Sequence, residues 1–243
     1  VTLTIATNEN VSSPTVTFTS GGAAATNADT VSGASPGTSF TSAYTVDASD
    51  TDGTVAISIT ATDVAGNTTS GFTTISAGSV TVDQTAPASQ KTQGVVTTGG
   101  DNQVAGYWNS GNTGVDITVP IADDSSINGG TVQLLVSTDG GGSFVPLDTP
   151  STISAVNTNK TISVASGVLE GVAGFGESDV LQFKATITDT SGNATTGTVS
   201  DTTLTVDQTA ATISTSSIAS DNETVTLAKT GDTVTLTIAT NEN

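Results

Sequence analysis

Val1-Thr-Leu-Thr-Ile-Ala-Thr-Asn-Glu-Asn10 opens the chain, and the same ten residues close it at positions 234–243. Val1, Leu3 and Ile5 alternate with threonine. Apolar residues at every second position are typical of a β-strand with one buried face. Two identical decapeptides separated by 233 residues also indicate a tandem array in which this chain is one link.

A weaker repeat lies inside the first. Residues 57–71 align with residues 183–197 at an offset of 126, and Val82-Asp-Gln-Thr-Ala86 aligns with Val206-Asp-Gln-Thr-Ala210 at an offset of 124. Each link therefore holds two related modules of ordinary domain size. We expect residues 1–86 to be a first module that lacks its opening strands and residues 87–208 to be a complete second module. Residues 209–243 are then the opening strands of a module like the first.

The alternating pattern recurs along the chain, which has few good helix formers. It is present in residues 55–61, 115–121 and 181–187, and turn signals such as Asp52-Gly53 and Asp139-Gly140 lie between the runs. The sequence predicts an all-β fold of tandem immunoglobulin-like β-sandwich modules arranged end to end, with about seven strands each. An elongated β-helix is the alternative, but the variable strand spacing argues against it.

The composition limits the possible functions. The chain carries 23 acidic residues against four lysines, a net charge of −19, and has no histidine, cysteine or methionine. Nucleic acids and anionic membrane surfaces bind basic patches, so neither is an expected partner. No apolar run reaches the roughly 18–20 residues of a membrane span, so we expect no membrane insertion in this segment.

Several motifs resemble one known family. They are Thr62-Asp-Val-Ala-Gly-Asn67, Thr188-Asp-Thr-Ser-Gly-Asn193, Val82-Asp-Gln-Thr-Ala-Pro87, Lys229-Thr-Gly-Asp-Thr-Val-Thr-Leu-Thr-Ile238 and the stretch 106–120. Together they resemble the bacterial immunoglobulin-like (BIg-type) tandem repeats of giant surface adhesins and biofilm-associated proteins. The resemblance implies an extracellular, cell-surface location and neighbouring copies of the same repeat as partners. The second linker, Asp207-Gln-Thr-Ala-Ala211, departs from the pattern because it lacks the proline.

Acidic residues concentrate where such modules meet, because the linker and the B–C and F–G loops lie at one end of the sandwich. In the first module we expect the B–C loop at residues 8–10 and the F–G loop at residues 63–67. One junction would gather Asp83, Asp123, Asp124, Asp189 and Asn193. The next would hold Asp207 and Glu242 with the following copies of Asp63 and Asn67, and Glu9 is the equivalent of Glu242 in this window.

Carboxylates gathered in this way repel each other unless a cation lies between them. Calcium takes about 6–8 oxygen ligands from carboxylates, amides, backbone carbonyls and water. Metals that prefer imidazole or thiolate have no ligands here. The sequence therefore predicts an interdomain calcium site that stiffens the junction. Turn chemistry is the alternative for each Asp-x-x-Gly-Asn motif alone, because the aspartate can accept from downstream backbone N–H groups.

Other candidate sites are weaker. A glycosidase-like carboxylate pair could be drawn from Asp123 or Asp124 with Asp189, but these residues are better explained as metal ligands, so we expect no enzyme. Tyr107 and Trp108 could stack on a sugar. Neighbouring residues on a strand point to opposite faces, however, so we expect one of them in the core and one exposed. Residues 139–143 are expected to be a hairpin turn.

These observations predict a calcium-stiffened structural stalk, one repeat of a long secreted surface protein that serves adhesion. The first alternative is a self-assembling extracellular filament or sheath in which residues 209–243 complete a neighbouring module, giving a homopolymer through strand donation. The third possibility is a glycan-binding module.

Overall fold

The computed structural model describes residues 1–27, 30–100 and 102–242, and the chain is all-β as the sequence predicts. It divides into two compact units. The first comprises Val1–Ala88, Ser126–Gly130 and Thr188–Thr195, and the second comprises Ser89–Ser125, Thr131–Ile187 and Thr196–Asn243. The module boundaries given above stay a prediction.

Two sheets make up the first unit. Its strands are β1 (Thr2–Val11), β2 (Thr15–Ser20), β3 (Ala23–Ala24), β4 (Gly37–Ala43), β5 (Gly53–Thr62), β6 (Thr68–Phe72) and β7 (Thr81–Val82). Strands β1 and β4 form one antiparallel sheet, and β3, β2, β5 and β6 lie in that order in the other, with β7 beside β5. The alternation in β5 buries Val55, Ile57 and Ile59, and the Phe18 and Tyr44 rings stack with centroids 5.6 Å apart.

The second unit contains a more complete pair of sheets. Its elements, some of which extend into the first unit, are β8 (Gln93–Thr98), β9 (Tyr107–Trp108), β10 (Gly114–Ile121), β11 (Thr131–Ser137), β12 (Val145–Thr152), β13 (Thr158–Ala165), α1 (Ser166–Leu169), β14 (Val180–Thr188), β15 (Ala194–Thr196) and β16 (Leu204–Val206), with a 3₁₀ turn at Ser125–Ile127. One sheet has the order β13, β10, β8, and the other has the order β12, β11, β14, β16, β9.

A final hairpin, β17 (Ile213–Ser220) and β18 (Val234–Thr240), belongs to the second unit. Among the described residues, these two strands pair only with each other. Every residue of both strands except Ser220 is exposed. The hairpin therefore has no apolar face covered.

The two neighbouring aromatics separate as expected. Trp108 is fully buried and its Nε1–H donates to Glu170 Oε1 at 3.0 Å, whereas Tyr107 is exposed. A buried indole offers no face to a sugar ring, so Trp108 acts in packing and not in glycan binding.

Two local expectations have different outcomes. The predicted hairpin turn at residues 139–143 is confirmed, because it connects the antiparallel strands β11 and β12 and Asp139 accepts from the Ser137 hydroxyl and the Ser143 N–H. The predicted B–C loop at residues 8–10 is part of β1 instead. Backbone pairing continues past it, since Val11 pairs with Asp63 and the Ser12 N–H donates to the carbonyl of Thr62.

Because buried and exposed residues alternate along the strands, the same Val→Ala substitution should destabilise the fold more at a buried position than at an exposed one. Val115 on β10 is fully buried, whereas Val96 on the neighbouring strand β8 is 59% exposed. Val115→Ala should lower the free energy of unfolding by about 2 kcal/mol, because it removes buried methyl groups and leaves a cavity. Val96→Ala is the matched control and should change the free energy of unfolding little. Urea unfolding of both variants checks this, and equal costs would contradict the burial of the β10 face.

Candidate functional site at the module linkers

The Asp-x-x-Gly-Asn motif of residues 189–193 folds as a closed turn between β14 and β15. Oδ1 of the buried Asp189 accepts from the backbone N–H groups of Ser191, Gly192 and Asn193, all at 2.8–2.9 Å. Its Oδ2 accepts from the Asn193 amide at 2.9 Å. The turn therefore fixes both side chains without any further ligand.

The turn at residues 63–67 has the same pattern. Asp63 Oδ1 accepts from the N–H groups of Ala65 and Asn67, and Oδ2 accepts from the Asn67 amide at 2.7 Å. These donors favour the ionised carboxylate. The Asn67 side chain and then its backbone N–H accordingly lower the pKa of Asp63. The turn chemistry offered as the alternative for these motifs is thus present in both copies.

The first linker contacts the 189–193 turn within the first unit. Ser191 donates its hydroxyl to Asp83 Oδ2 at 2.9 Å, and the Asn193 amide donates to the backbone carbonyl of Asp83 at 3.0 Å. The same amide nitrogen also contacts Asp189 Oδ2. Three predicted site residues, Asp83, Asp189 and Asn193, therefore meet around one amide group.

Gln84 anchors the first linker to its own module. Its backbone N–H donates to Asp52 Oδ1 at 2.8 Å, and its side-chain amide donates to the carbonyls of Asp47 and Asp50, both at 3.1 Å. The Thr85 hydroxyl donates to Asp52 Oδ2 at 2.5 Å. The Thr85 hydroxyl and then the Gln84 backbone N–H lower the pKa of Asp52.

Gln208 plays the corresponding part in the second linker. Its backbone N–H donates to Glu177 Oε2 at 2.9 Å, and its side chain donates to Glu170 Oε1 at 2.8 Å. Glu170 is also the acceptor for the buried Trp108 indole. Sequence reasoning missed both glutamines, although their presence in both Val-Asp-Gln-Thr-Ala linkers was a usable signal.

The other predicted site residues are more scattered. Glu9, Asp63 and Asn67 line one groove of the first unit. Asp123 and Asp124 follow β10, and Asp207 follows β16 with its N–H donating to the Trp108 carbonyl at 2.8 Å. Glu242 follows β18 and accepts from the Asn241 amide. Among residues 1–27, 30–100 and 102–242, no group of three acidic side chains is placed to hold a metal ion. Calcium binding stays a prediction.

Comparisons with known proteins give a distant structural likeness. No family model matches the sequence, and no match is found among the curated proteins. The solved structures include a tetra-tandem repeat from the extending region of a large adhesion protein, which shares 18% identity with this chain. The match covers 99% of this chain and 58% of that one, at a TM-score of 0.30. No helix among the described residues is long and apolar enough to cross a membrane.

The Gln84 anchor predicts a local effect of pH. Because the pKa of Asp52 is lowered on folding, its carboxylate stabilises the folded state at pH values above its ordinary pKa of 3.8. This contribution is lost as the pH falls through the lowered pKa. The protection of the Gln84 amide, its exchange rate relative to that of an unstructured chain at the same pH, should therefore be high at neutral pH and should fall in acid. Asp52→Ala should accelerate this exchange already at neutral pH, as measured by NMR.

A matched control is Asp201→Ala, since that carboxylate is exposed and pairs with Lys91. It should leave the exchange of the Gln84 amide unchanged. Equal acceleration in both variants would show that general loss of stability, and not the anchor, is responsible.

Proposed function

We propose that this chain is one link of a long extracellular repeat protein of the adhesion type, in which the modules act as a structural stalk. The observation that carries the proposal is the linker. The same Val-Asp-Gln-Thr-Ala sequence ends both modules, and its glutamine is hydrogen-bonded to acidic residues of its own unit in each case. Docking a linker residue in this way limits the freedom of the joint.

The charge of the chain supports a role as a spacer. A net charge of −19 without a basic cluster keeps neighbouring chains apart and in solution. The sequence lacks histidine and cysteine, the usual residues of acid–base and thiol catalysis, so we propose no enzymatic activity. We propose a location at the outer cell surface for the same structural role.

We further propose that calcium stiffens the first linker at Asp83, Asp189 and Asn193. The Asn193 amide nitrogen contacts both the Asp83 carbonyl oxygen and Asp189 Oδ2, at 3.0 and 2.9 Å, so oxygens of two residues already converge on one donor. Carboxylate, carbonyl and amide oxygens are the ligands that calcium takes. Asp83 and Asp189 would hold the ion, and the amide oxygen of Asn193 is available as a further ligand.

Calcium would act through linkage. An ion that binds only the docked linker stabilises the docked state, by about 2.7 kcal/mol when its concentration is 100 times Kd. We expect calcium to raise the Tm of the chain and EDTA to reverse the rise. Calorimetric titration should show saturable binding, and scanning calorimetry should show the Tm shift.

Two substitutions locate the site. Asp83→Asn and Asp189→Asn should each weaken calcium binding at least tenfold, because each removes a carboxylate ligand. Asp148→Asn is the control, since among the described residues the Asp148 carboxylate accepts only from its neighbour Thr149. If calcium titration releases no heat of binding and calcium does not change the Tm, the calcium proposal is contradicted. It would leave the hydrogen-bonded linker as the stiffening element.

A further inference from the structure

Each repeat of the proposed array contains two linkers, which share the sequence Val-Asp-Gln-Thr-Ala at residues 82–86 and 206–210. The first linker contacts the 189–193 turn through Asp83. The 63–67 turn is the equivalent of that turn in the other module. Since the opening decapeptide recurs after 233 residues, the second linker precedes another copy of the 63–67 turn. Asp207 takes the place of Asp83 at that joint.

The two turns have the same backbone. The N–H of the first residue donates to the carbonyl of the last, at 2.9 Å in the 63–67 turn and at 3.0 Å in the 189–193 turn. The N–H of the third residue donates to Oδ1 of the aspartate at 2.8 Å in both turns. The glycine at the fourth position has a φ of 94° in one turn and 98° in the other, which is a left-handed conformation. The side chain of the third residue therefore leaves both turns in the same direction.

The third residue is where the two turns differ. It is Ser191 in one turn, and its hydroxyl donates to Asp83 Oδ2 at 2.9 Å. It is Ala65 in the other turn, and alanine has no hydroxyl. The carboxylate of Asp207 therefore lacks the donor that the carboxylate of Asp83 has. This difference is fixed by the sequence.

The asparagine at the end of the turn is present in both copies. The Asn193 amide donates to two acceptors, the aspartate of its own turn at 2.9 Å and the carbonyl of Asp83 at 3.0 Å. The Asn67 amide likewise donates to the aspartate of its own turn, at 2.7 Å. Its second N–H can therefore bond the carbonyl of Asp207 in the preceding repeat. Of the two hydrogen bonds that the first linker receives from its turn, the second linker keeps one.

A proline is the second difference between the linkers. Pro87 follows the first linker and is buried, whereas Ala211 stands at the equivalent position after the second. Proline fixes its φ at about −65° and restricts the residue before it, so the first linker has fewer backbone conformations. The anchor to the preceding module is alike in both linkers, because Gln84 and Gln208 each donate a backbone N–H to a carboxylate.

We infer that the two joints of each repeat differ in stiffness. The joint at Asp83 is stiff, whereas the joint at Asp207 is a hinge that holds the 63–67 turn of the following repeat by Asn67 alone. The 63–67 turn is then a docking surface for the second linker of the preceding repeat. Bending of the array is concentrated at one joint in every repeat. The inference rests on the proposed function, because it requires the tandem array, and it needs no calcium.

Pulsed electron paramagnetic resonance in EDTA measures the stiffness of both joints. The chain has no cysteine, so Thr17→Cys and Thr161→Cys introduce two labelling sites, at exposed positions of β2 and β13. Labels within one repeat span the first joint. In a chain of two repeats, a label at position 161 of the first and one at position 17 of the second span the second joint. We expect the distance distribution across the second joint to be about twofold broader, because a hydrogen bond and a restricted backbone dihedral are both missing.

Exchange of the differing residues between the joints tests the cause. Ser191→Ala with Pro87→Ala in the full chain should broaden the distribution across the first joint to the width of the second. In the two-repeat chain, Ala211→Pro in the first repeat with Ala65→Ser in the second should narrow the distribution across the second joint. A variant that fails to fold cannot produce this narrowing.

Thr186→Ala is the matched control for loss of a hydroxyl. The Thr186 hydroxyl bonds that of Thr196 at 2.8 Å, within the pair of strands that the 189–193 turn connects. Its removal should leave both distance distributions unchanged.

The outcomes separate this inference from the proposed function. Equally narrow distributions across both joints would overturn the hinge and leave the structural stalk intact. Equally broad distributions would overturn both, since neither linker would then limit the freedom of its joint. Widths that do not follow the exchanged residues would overturn the assigned cause of the hinge. Because EDTA is present throughout, these results are independent of the calcium titration.

Discussion

Backbone pairing between strands is the interaction on which the rest of this chain depends. The chain has no disulfide, and the described residues contain a single ion pair, between Lys91 and Asp201. Its core is built from Val, Ile and Leu of alternating strands, with a few aromatics. Such a core exists only where two sheets face each other, so a missing strand costs both hydrogen bonds and burial.

The linkers show how the strands and the acidic residues act together. Strands β7 and β16 end at Val82 and Val206, the first residues of the two Val-Asp-Gln sequences. There Gln84 donates its backbone N–H to the Asp52 carboxylate, and Gln208 donates to the carboxylates of Glu177 and Glu170. A neutral amide with two donors satisfies acceptors on neighbouring loops at no cost in charge. These three carboxylates are therefore stabilised locally by hydrogen bonds, and calcium would add to an arrangement that already holds.

The proposed stalk depends on Asp83 and Gln84, which fix the exit of one module. A repeat array needs such fixed exits because each link contacts only its neighbours.

The sequence alone determined the all-β class, the strands that alternate and the repeated linkers, because periodicity and turn residues act locally. It also predicted that one of the two neighbouring aromatics, Tyr107 or Trp108, is buried, but it did not show which of them. It did not find the anchors Gln84 and Gln208, and it placed residues 8–10 in a loop, because their partners lie far away in sequence. Whether Asp189 and Asn193 bond to each other or to a metal was equally open. The clearest case is the repeated decapeptide. Its pattern predicts a strand in both places, but only the tertiary structure decides that Ile5 is buried in a core and the equivalent Ile238 is exposed, since burial depends on which sheet faces the strand.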